Sequence, residues 1–207
     1  MSIEIKICGL RRRQDIKAVN LYRPDYAGFI LTEGFKRSIV AGTFFELKSY
    51  LSKDIKTVGV FVDEPLEEIE KYYSDELDVI QLHGNENKEY IKSLRQIFGG
   101  EIWKAVRAGT PQDIEKADRR DIDRLLIDSF APGAVGGTGR QADISVIKAA
   151  HITKPFLLAG GISEQNAVTL AKEVNPCGLD ISSSVETDGF KDSDKIRSII
   201  SLIREEL

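Results

Sequence analysis

The chain has 207 residues, 42% of them hydrophobic, and its 29 basic and 33 acidic residues give a formal net charge of −4. A chain of this size and apolar content can bury a sizeable core, and its low net charge argues against disorder. Its charges are interspersed, which argues against nucleic acid as the main partner. No apolar run approaches the roughly 20 residues that span a bilayer, which argues against a membrane.

Eight short, β-rich apolar runs follow one another along the chain. They are Ile3–Cys8, Asp25–Leu31, Lys56–Val62, Asp78–Leu82, Glu101–Val106, Asp123–Asp128, Pro155–Ala159 and Gly178–Ser182. Most begin about 22 residues after the last, which leaves room for one helix and two short loops. Unbroken stretches such as Leu125-Leu126-Ile127 and Phe156-Leu157-Leu158 suit strands buried on both faces of a parallel sheet.

Helix marks fill the intervals. Phe44, Leu47 and Leu51 share one helical face, as do Leu66, Ile69 and Tyr73, and Ile196, Ile199, Ile203 and Leu207 form a third stripe. Glu64-Pro65 and Thr110-Pro111 read as an N-cap followed by proline at the first helical position. A closing helix is expected over Asp192–Leu207. Eight evenly spaced βα units predict an α/β fold, a single compact (βα)8 TIM barrel occupying residues 1–207, in preference to a doubly wound open sheet.

Two intervals are longer than the rest, Thr32–Val40 after strand 2 and Ser129–Gln141 after strand 6. Both would lie on the C-terminal face of a barrel, where active sites sit. Cys8 ends strand 1 and Asp128 ends strand 6, so a thiol and a carboxyl would look into one cavity from nearly opposite sides. That suits a general base and a general acid acting on two atoms of one substrate. A carboxyl at the apolar mouth of a barrel can have a raised pKa and so keep a proton to donate. Read as structural residues instead, Cys8 is a small buried hydrophobe and Asp128 an N-cap or one side of a loop salt bridge.

Glycine and serine gather after the last strands: Gly136-Gly137-Thr138-Gly139, Gly160-Gly161 and Ser182-Ser183-Ser184. Such loops let backbone N–H groups approach a phosphate closely. Arg37, in the long loop after strand 2, offers a two-pronged donor to a second anion, best a carboxylate. His83 ends strand 4 and either contacts substrate or caps a loop. His151 is expected at the surface and Trp103 in the barrel core. Two scattered histidines and two cysteines make no zinc pattern. Cys177 precedes strand 8, about 17 Å from the other strand end, too far from Cys8 to form a disulfide. Met1 to Lys6 has no signal-peptide layout, so a reducing cytoplasm is expected.

Together these segments resemble the phosphoribosylanthranilate isomerase family of tryptophan biosynthesis. The resemblance runs in order through Lys6-Ile7-Cys8-Gly9-Leu10, Val58-Gly59-Val60-Phe61-Val62, Gln81-Leu82-His83-Gly84, Leu125-Leu126-Ile127-Asp128, Gly136-Gly137-Thr138-Gly139, Ala159-Gly160-Gly161-Ile162 and Leu179-Asp180-Ile181-Ser182-Ser183. It implies an Amadori rearrangement with Asp128 as general acid, Cys8 as general base and Arg37 on the anthranilate carboxylate. His83, Gly137, Gly139, Gly160, Gly161, Asp180, Ser182 and Ser183 complete the implied substrate-binding set. The implied chemistry transfers protons only, so neither cofactor nor metal is expected. The expected partner is a small-molecule substrate, and the resemblance leaves open an association with neighbouring tryptophan-pathway enzymes.

Two positions depart from the family pattern. Lys36 adjoins Arg37 and competes as the anion contact. Ser184 stands where glycine is common, so a positive φ there would be strained. A histidine-pathway isomerase, which uses two aspartates, is disfavoured by Cys8, and a metal-dependent epimerase by the shortage of ligands. A barrel that binds phosphate without catalysis is the remaining alternative. A free cysteine is only a few per cent thiolate near neutral pH. The barrel interior must therefore depress its pKa, or the bound substrate must act, and the sequence leaves both open.

Overall fold

The computed structural model describes residues 3–128 and 144–207. The elements run β1 (Glu4–Cys8), α1 (Arg13–Tyr22), β2 (Tyr26–Ile30), α2 (Ala41–Ser49), β3 (Lys56–Phe61), α3 (Leu66–Tyr72), β4 (Val79–Leu82), α4 (Lys88–Ile97) and β5 (Glu101–Arg107). They continue α5 (Pro111–Asp118), β6 (Arg124–Asp128), α6 (Ser145–Ala149), β7 (Phe156–Ala159), α7 (Ala167–Val174), β8 (Gly178–Ile181), β9 (Glu186–Thr187), β10 (Phe190–Lys191) and α8 (Ser193–Glu206). Strands β1 to β8 pair in parallel and close on themselves, β1 bonding both β2 and β8. The expected barrel forms, with each strand within a residue or two of its expected ends.

Side chains alternate along each strand. One set points outward against the helices, where Ile5, Ile7, Phe29, Phe61, Ile127 and Leu158 join Ile16, Phe44 and Ile199 in one buried cluster. The inward set packs separately: Tyr26, Val58, Val79, Trp103 and Leu157 make one layer, and Ala105, Leu126 and Ala159 another. Trp103 is wholly buried and meets Tyr26 edge-on, with ring centroids 4.8 Å apart. Arg124 lies against Trp103, within 5.4 Å of its ring, and pairs with Glu4 and Glu101. Cys177 packs against this layer, at the end of the barrel away from Cys8, as expected.

An aspartate before each of β2, β4 and β6 pins the preceding strand. Asp25, Asp78 and Asp123 precede β2, β4 and β6, and each accepts a backbone N–H from the strand before: Ile5 at 2.8 Å, Thr57 at 2.7 Å and Ile102 at 2.7 Å. These charge-assisted bonds satisfy N–H groups at strand starts, where no ladder partner remains.

Thr110 caps α5 with Pro111 in its first turn, as expected. Glu64-Pro65 differs: Pro65 is itself the N-cap of α3, with φ −58° and ψ 136°, and Leu66 opens the helix. Proline fixes φ but leaves ψ extended here, which is a capping conformation. Glu64 instead accepts a hydrogen bond from the Thr32 hydroxyl. The sequence reading also missed the hairpin β9–β10. Its Asp188-Gly189 turn has φ of 52° and 76°, as a two-residue type I′ turn requires. Ser184 sits in a short 3₁₀ turn, Ser183–Val185, and is not among the described residues of positive φ, so the anticipated strain is not present.

Candidate active site

The C-terminal mouth of the barrel holds a cavity of about 260 Å³. Cys8 from β1, Gln81 and His83 at β4 and Asp128 from β6 all line it. So do Arg37 from the loop after β2, Gly160 and Gly161 after β7, and Asp180, Ser182 and Ser183 on and after β8. Every site residue expected from sequence within the described segments is therefore brought to one cavity. Gly137 and Gly139 lie outside the described residues. Val60, Leu126 and Ala159 give the cavity an apolar floor.

Cys8 is buried among charges. Burial pushes its thiol up; Lys6 and Lys191 pull it down, Asp180 pushes it up further, and burial prevails. Of the two routes to a thiolate that the sequence left open, the interior alone does not depress the pKa below its ordinary value. Gly28 faces Cys8 across the β1–β2 pair. A methyl group on Gly28 would come within 2.9 Å of the Cys8 sulfur and 3.2 Å of Lys6 Cε, so only a bare backbone lets both side chains lie there. The Ser182 hydroxyl donates to the Cys8 carbonyl at 3.0 Å and ties β8 to the end of β1.

His83 lies at the rim. Burial lowers its pKa, while Asp128 pulls the other way. The imidazole is therefore neutral at physiological pH. Its Nδ1 meets Gln81 Nε2 at 3.2 Å. An amide N–H at that position assigns the lone pair to Nδ1 and the proton to Nε2. The Gln81 carbonyl oxygen is buried without a partner among the described residues.

Arg37 is not a solvated loop arginine. Its Nε and Nη2 donate to Glu186 at 2.6 and 2.9 Å. Glu186 is held in turn by Lys191 at 2.9 Å, and Lys191 also donates to the Ser182 carbonyl at 2.8 Å. This cluster exists because the β9–β10 hairpin carries Glu186 and Lys191 back over the mouth. Glu186 takes Arg37 from the side and leaves its Nη1–Nη2 edge for a second anion. Gly9, at φ 85°, lies under this arginine, where a Cβ would meet Arg37 Cδ at 2.6 Å. Lys36 is exposed and is not in the cavity wall.

Sequence reasoning missed Lys6, Glu186 and Lys191. Lys6 did carry a signal, being a charge inside the apolar Ile5-Lys6-Ile7 run and two residues from Cys8, hence on the same strand face. Glu186 and Lys191 carried none beyond the Asp-Gly turn between them.

A closed barrel with an acid, a thiol and glycine- and serine-bearing loops around one mouth is laid out as a sugar-phosphate isomerase barrel. Comparison with known proteins narrows this. Residues 5–202 match the family model described as N-(5'phosphoribosyl)anthranilate (PRA) isomerase, and the chain belongs to that family. A relative from Acetivibrio thermocellus, named N-(5'-phosphoribosyl)anthranilate isomerase, is 42% identical over 97% of this chain and 95% of its own. One of the same name from Thermoanaerobacter pseudethanolicus is 39% identical over 98% of each. The crystal structure of phosphoribosyl anthranilate isomerase from Thermotoga maritima superposes with a TM-score of 0.86 at 29% identity, covering 98% of this chain and 99% of that one. A phosphoribosyl anthranilate isomerase in complex with reduced 1-(o-carboxyphenylamino)-1-deoxyribulose 5-phosphate gives a TM-score of 0.82 at 28% identity, with the same coverage. No described helix is long and apolar enough to cross a membrane.

Proposed function

We propose that this chain converts N-(5-phosphoribosyl)anthranilate to 1-(2-carboxyphenylamino)-1-deoxyribulose 5-phosphate in tryptophan biosynthesis, as one catalytic domain over residues 1–207. Asp128 is the general acid and Cys8 the general base. The observation that carries this reading is that both side chains line the same cavity, with the loops after β7 and β8 beside them.

The chemistry needs two proton movements. Asp128 gives a proton to the furanose ring oxygen as the bond from that oxygen to C1 breaks, and the anilino nitrogen supplies electrons to form a protonated Schiff base. Its positive charge acidifies the C2 hydrogen. The Cys8 thiolate removes that proton, and the C–H electron pair forms the enolamine and neutralises the nitrogen. The enol proton then moves to C1 and leaves the ketone. The enzyme ends with one proton more on Cys8 and one fewer on Asp128, and exchange with water resets both. Burial favours the Cys8 thiol, so the cation formed on the substrate helps to hold the thiolate.

Arg37 takes the anthranilate carboxylate on the edge that Glu186 leaves open, and the exposed Lys36 does not. Gly160, Gly161, Ser182 and Ser183 take the phosphate, with Gly137 and Gly139 assigned to the same task. Neutral His83 offers a donor to a sugar hydroxyl. The same reading puts the enzyme in a reducing cytoplasm, which suits its free thiols Cys8 and Cys177, and alongside neighbouring pathway enzymes. The test is loss of substrate fluorescence when phosphoribosylanthranilate is generated in situ. Turnover is expected, and its absence with folded protein would leave a phosphate-binding barrel without catalysis.

A further inference from the structure

We propose that Lys6 is a positioning residue for the isomerisation: it supports the negative sulfur when Cys8 gives up its proton, and the Asp180 carboxylate fixes Lys6 beneath it. The inference rests on Cys8 acting as the base.

Lys6 and Cys8 are two residues apart on β1, so both side chains point into the barrel. Lys6 is wholly inaccessible to solvent. Its Nζ donates to Asp180 Oδ1 at 2.9 Å, in the register where Lys6 lies opposite Asp180 on β8. The ammonium also acts electrostatically on the Cys8 sulfur, favouring its thiolate. The bare Gly28 backbone is what lets the lysine chain and the sulfur lie side by side. Burial disfavours the charge on Lys6, but Asp180 and Cys8 together outweigh it, so Lys6 stays an ammonium.

A buried ion pair is a costly way to fill a barrel, because apolar residues of like volume often serve stability as well or better. Its placement under the base gives it a chemical use. When the thiol gives its proton to water, the negative sulfur gains a fixed cation beside it on the same strand face. Lys6 keeps its own proton throughout the cycle. Of the other charged groups near the sulfur, Arg37 from the loop after β2 and Lys191 from β10 are both bound to Glu186, and Asp180 from β8 is negative. Lys6, on the same strand face as the sulfur, is the cation that pulls the thiol down most.

The test titrates the sulfur directly. In a Cys177→Ser background, the rate of Cys8 alkylation by iodoacetamide is followed against pH by mass spectrometry, with kcat and KM measured in parallel. Lys6→Met is expected to move the alkylation midpoint to higher pH. Modification and kcat at pH 7 should each fall about tenfold or more, while KM changes little. Lys6→Gln, whose amide can still donate to Asp180, keeps the test readable if the methionine variant fails to fold, and should move the midpoint the same way. A midpoint unmoved in either folded variant would overturn the proposal. This readout does not depend on turnover, so it stands apart from the base assignment, which Cys8→Ala reports.

Discussion

Arg37 and Glu186, 149 residues apart in sequence, meet in a two-point ion pair, Nε to Oε1 at 2.6 Å and Nη2 to Oε2 at 2.9 Å. The pair turns a loop arginine into a preorganised anion receptor. A guanidinium clamped on one edge presents the other at a fixed angle, and little side-chain entropy is left to lose on binding.

Glu186→Gln should therefore raise KM for phosphoribosylanthranilate about tenfold, with a smaller change in kcat. Steady-state kinetics check this. The same variant reports on acid stability. Burial pushes the Glu186 carboxyl up, but Arg37 and Lys191 hold it below its ordinary value of 4.5. A carboxyl with a depressed folded-state pKa contributes stability that is full above the unfolded value and fades as pH falls below it. Glu186→Gln should thus flatten the loss of stability below pH 4.5 in denaturant titrations, relative to the parent chain.

Arg37→Ala should mainly raise KM, by roughly 10-fold to 100-fold, the scale of a lost charge-assisted pair. Lys36→Ala should stay within twofold of the parent. If the lysine variant shows the larger KM effect, the carboxylate is held one residue earlier.

Cys8→Ala and Asp128→Ala should each lose about 10²-fold or more in kcat, the scale of acid–base catalysis, while circular dichroism shows a folded protein. Near-normal turnover in either variant removes that residue from its role.

Gly28→Ala places a methyl 2.9 Å from the Cys8 sulfur. Either the thiol or the Lys6 chain must move. A misplaced base costs rate steeply, so kcat should fall roughly 10-fold to 100-fold with KM little affected. Unchanged kcat would mean that the two strands separate enough to absorb the methyl group.

Trp103→Ala opens the buried layer shared with Tyr26, Val58, Val79 and Leu157 at the far end of the barrel. It should cost about 3–5 kcal/mol in unfolding free energy, as large-to-small core changes do. Because that layer lies away from the mouth, the kcat of the protein that remains folded should be close to the parent value.

Strand positions, barrel closure and the Cys8–Asp128 pair were legible in the linear chain because each is a local regularity repeated at a fixed spacing. Apolar runs about 22 residues apart fix the βα count, and the count fixes which strand ends share a face. Helix starts were read less well at Glu64-Pro65, because proline serves equally at the cap and in the first turn. The Asp188-Gly189 hairpin was legible and overlooked, its strands being only two residues each.

The order of residues along the chain thus determined the barrel and the identity of the groups around its mouth, because hydrophobic alternation and loop length act over a few residues. Only the tertiary structure decided how those groups are tuned. Lys6 meets Asp180 across a 174-residue separation, and Glu186 reaches Arg37 across 149. Charges couple through space, and no spacing in the chain encodes which partners closure of the barrel will bring within 3 Å.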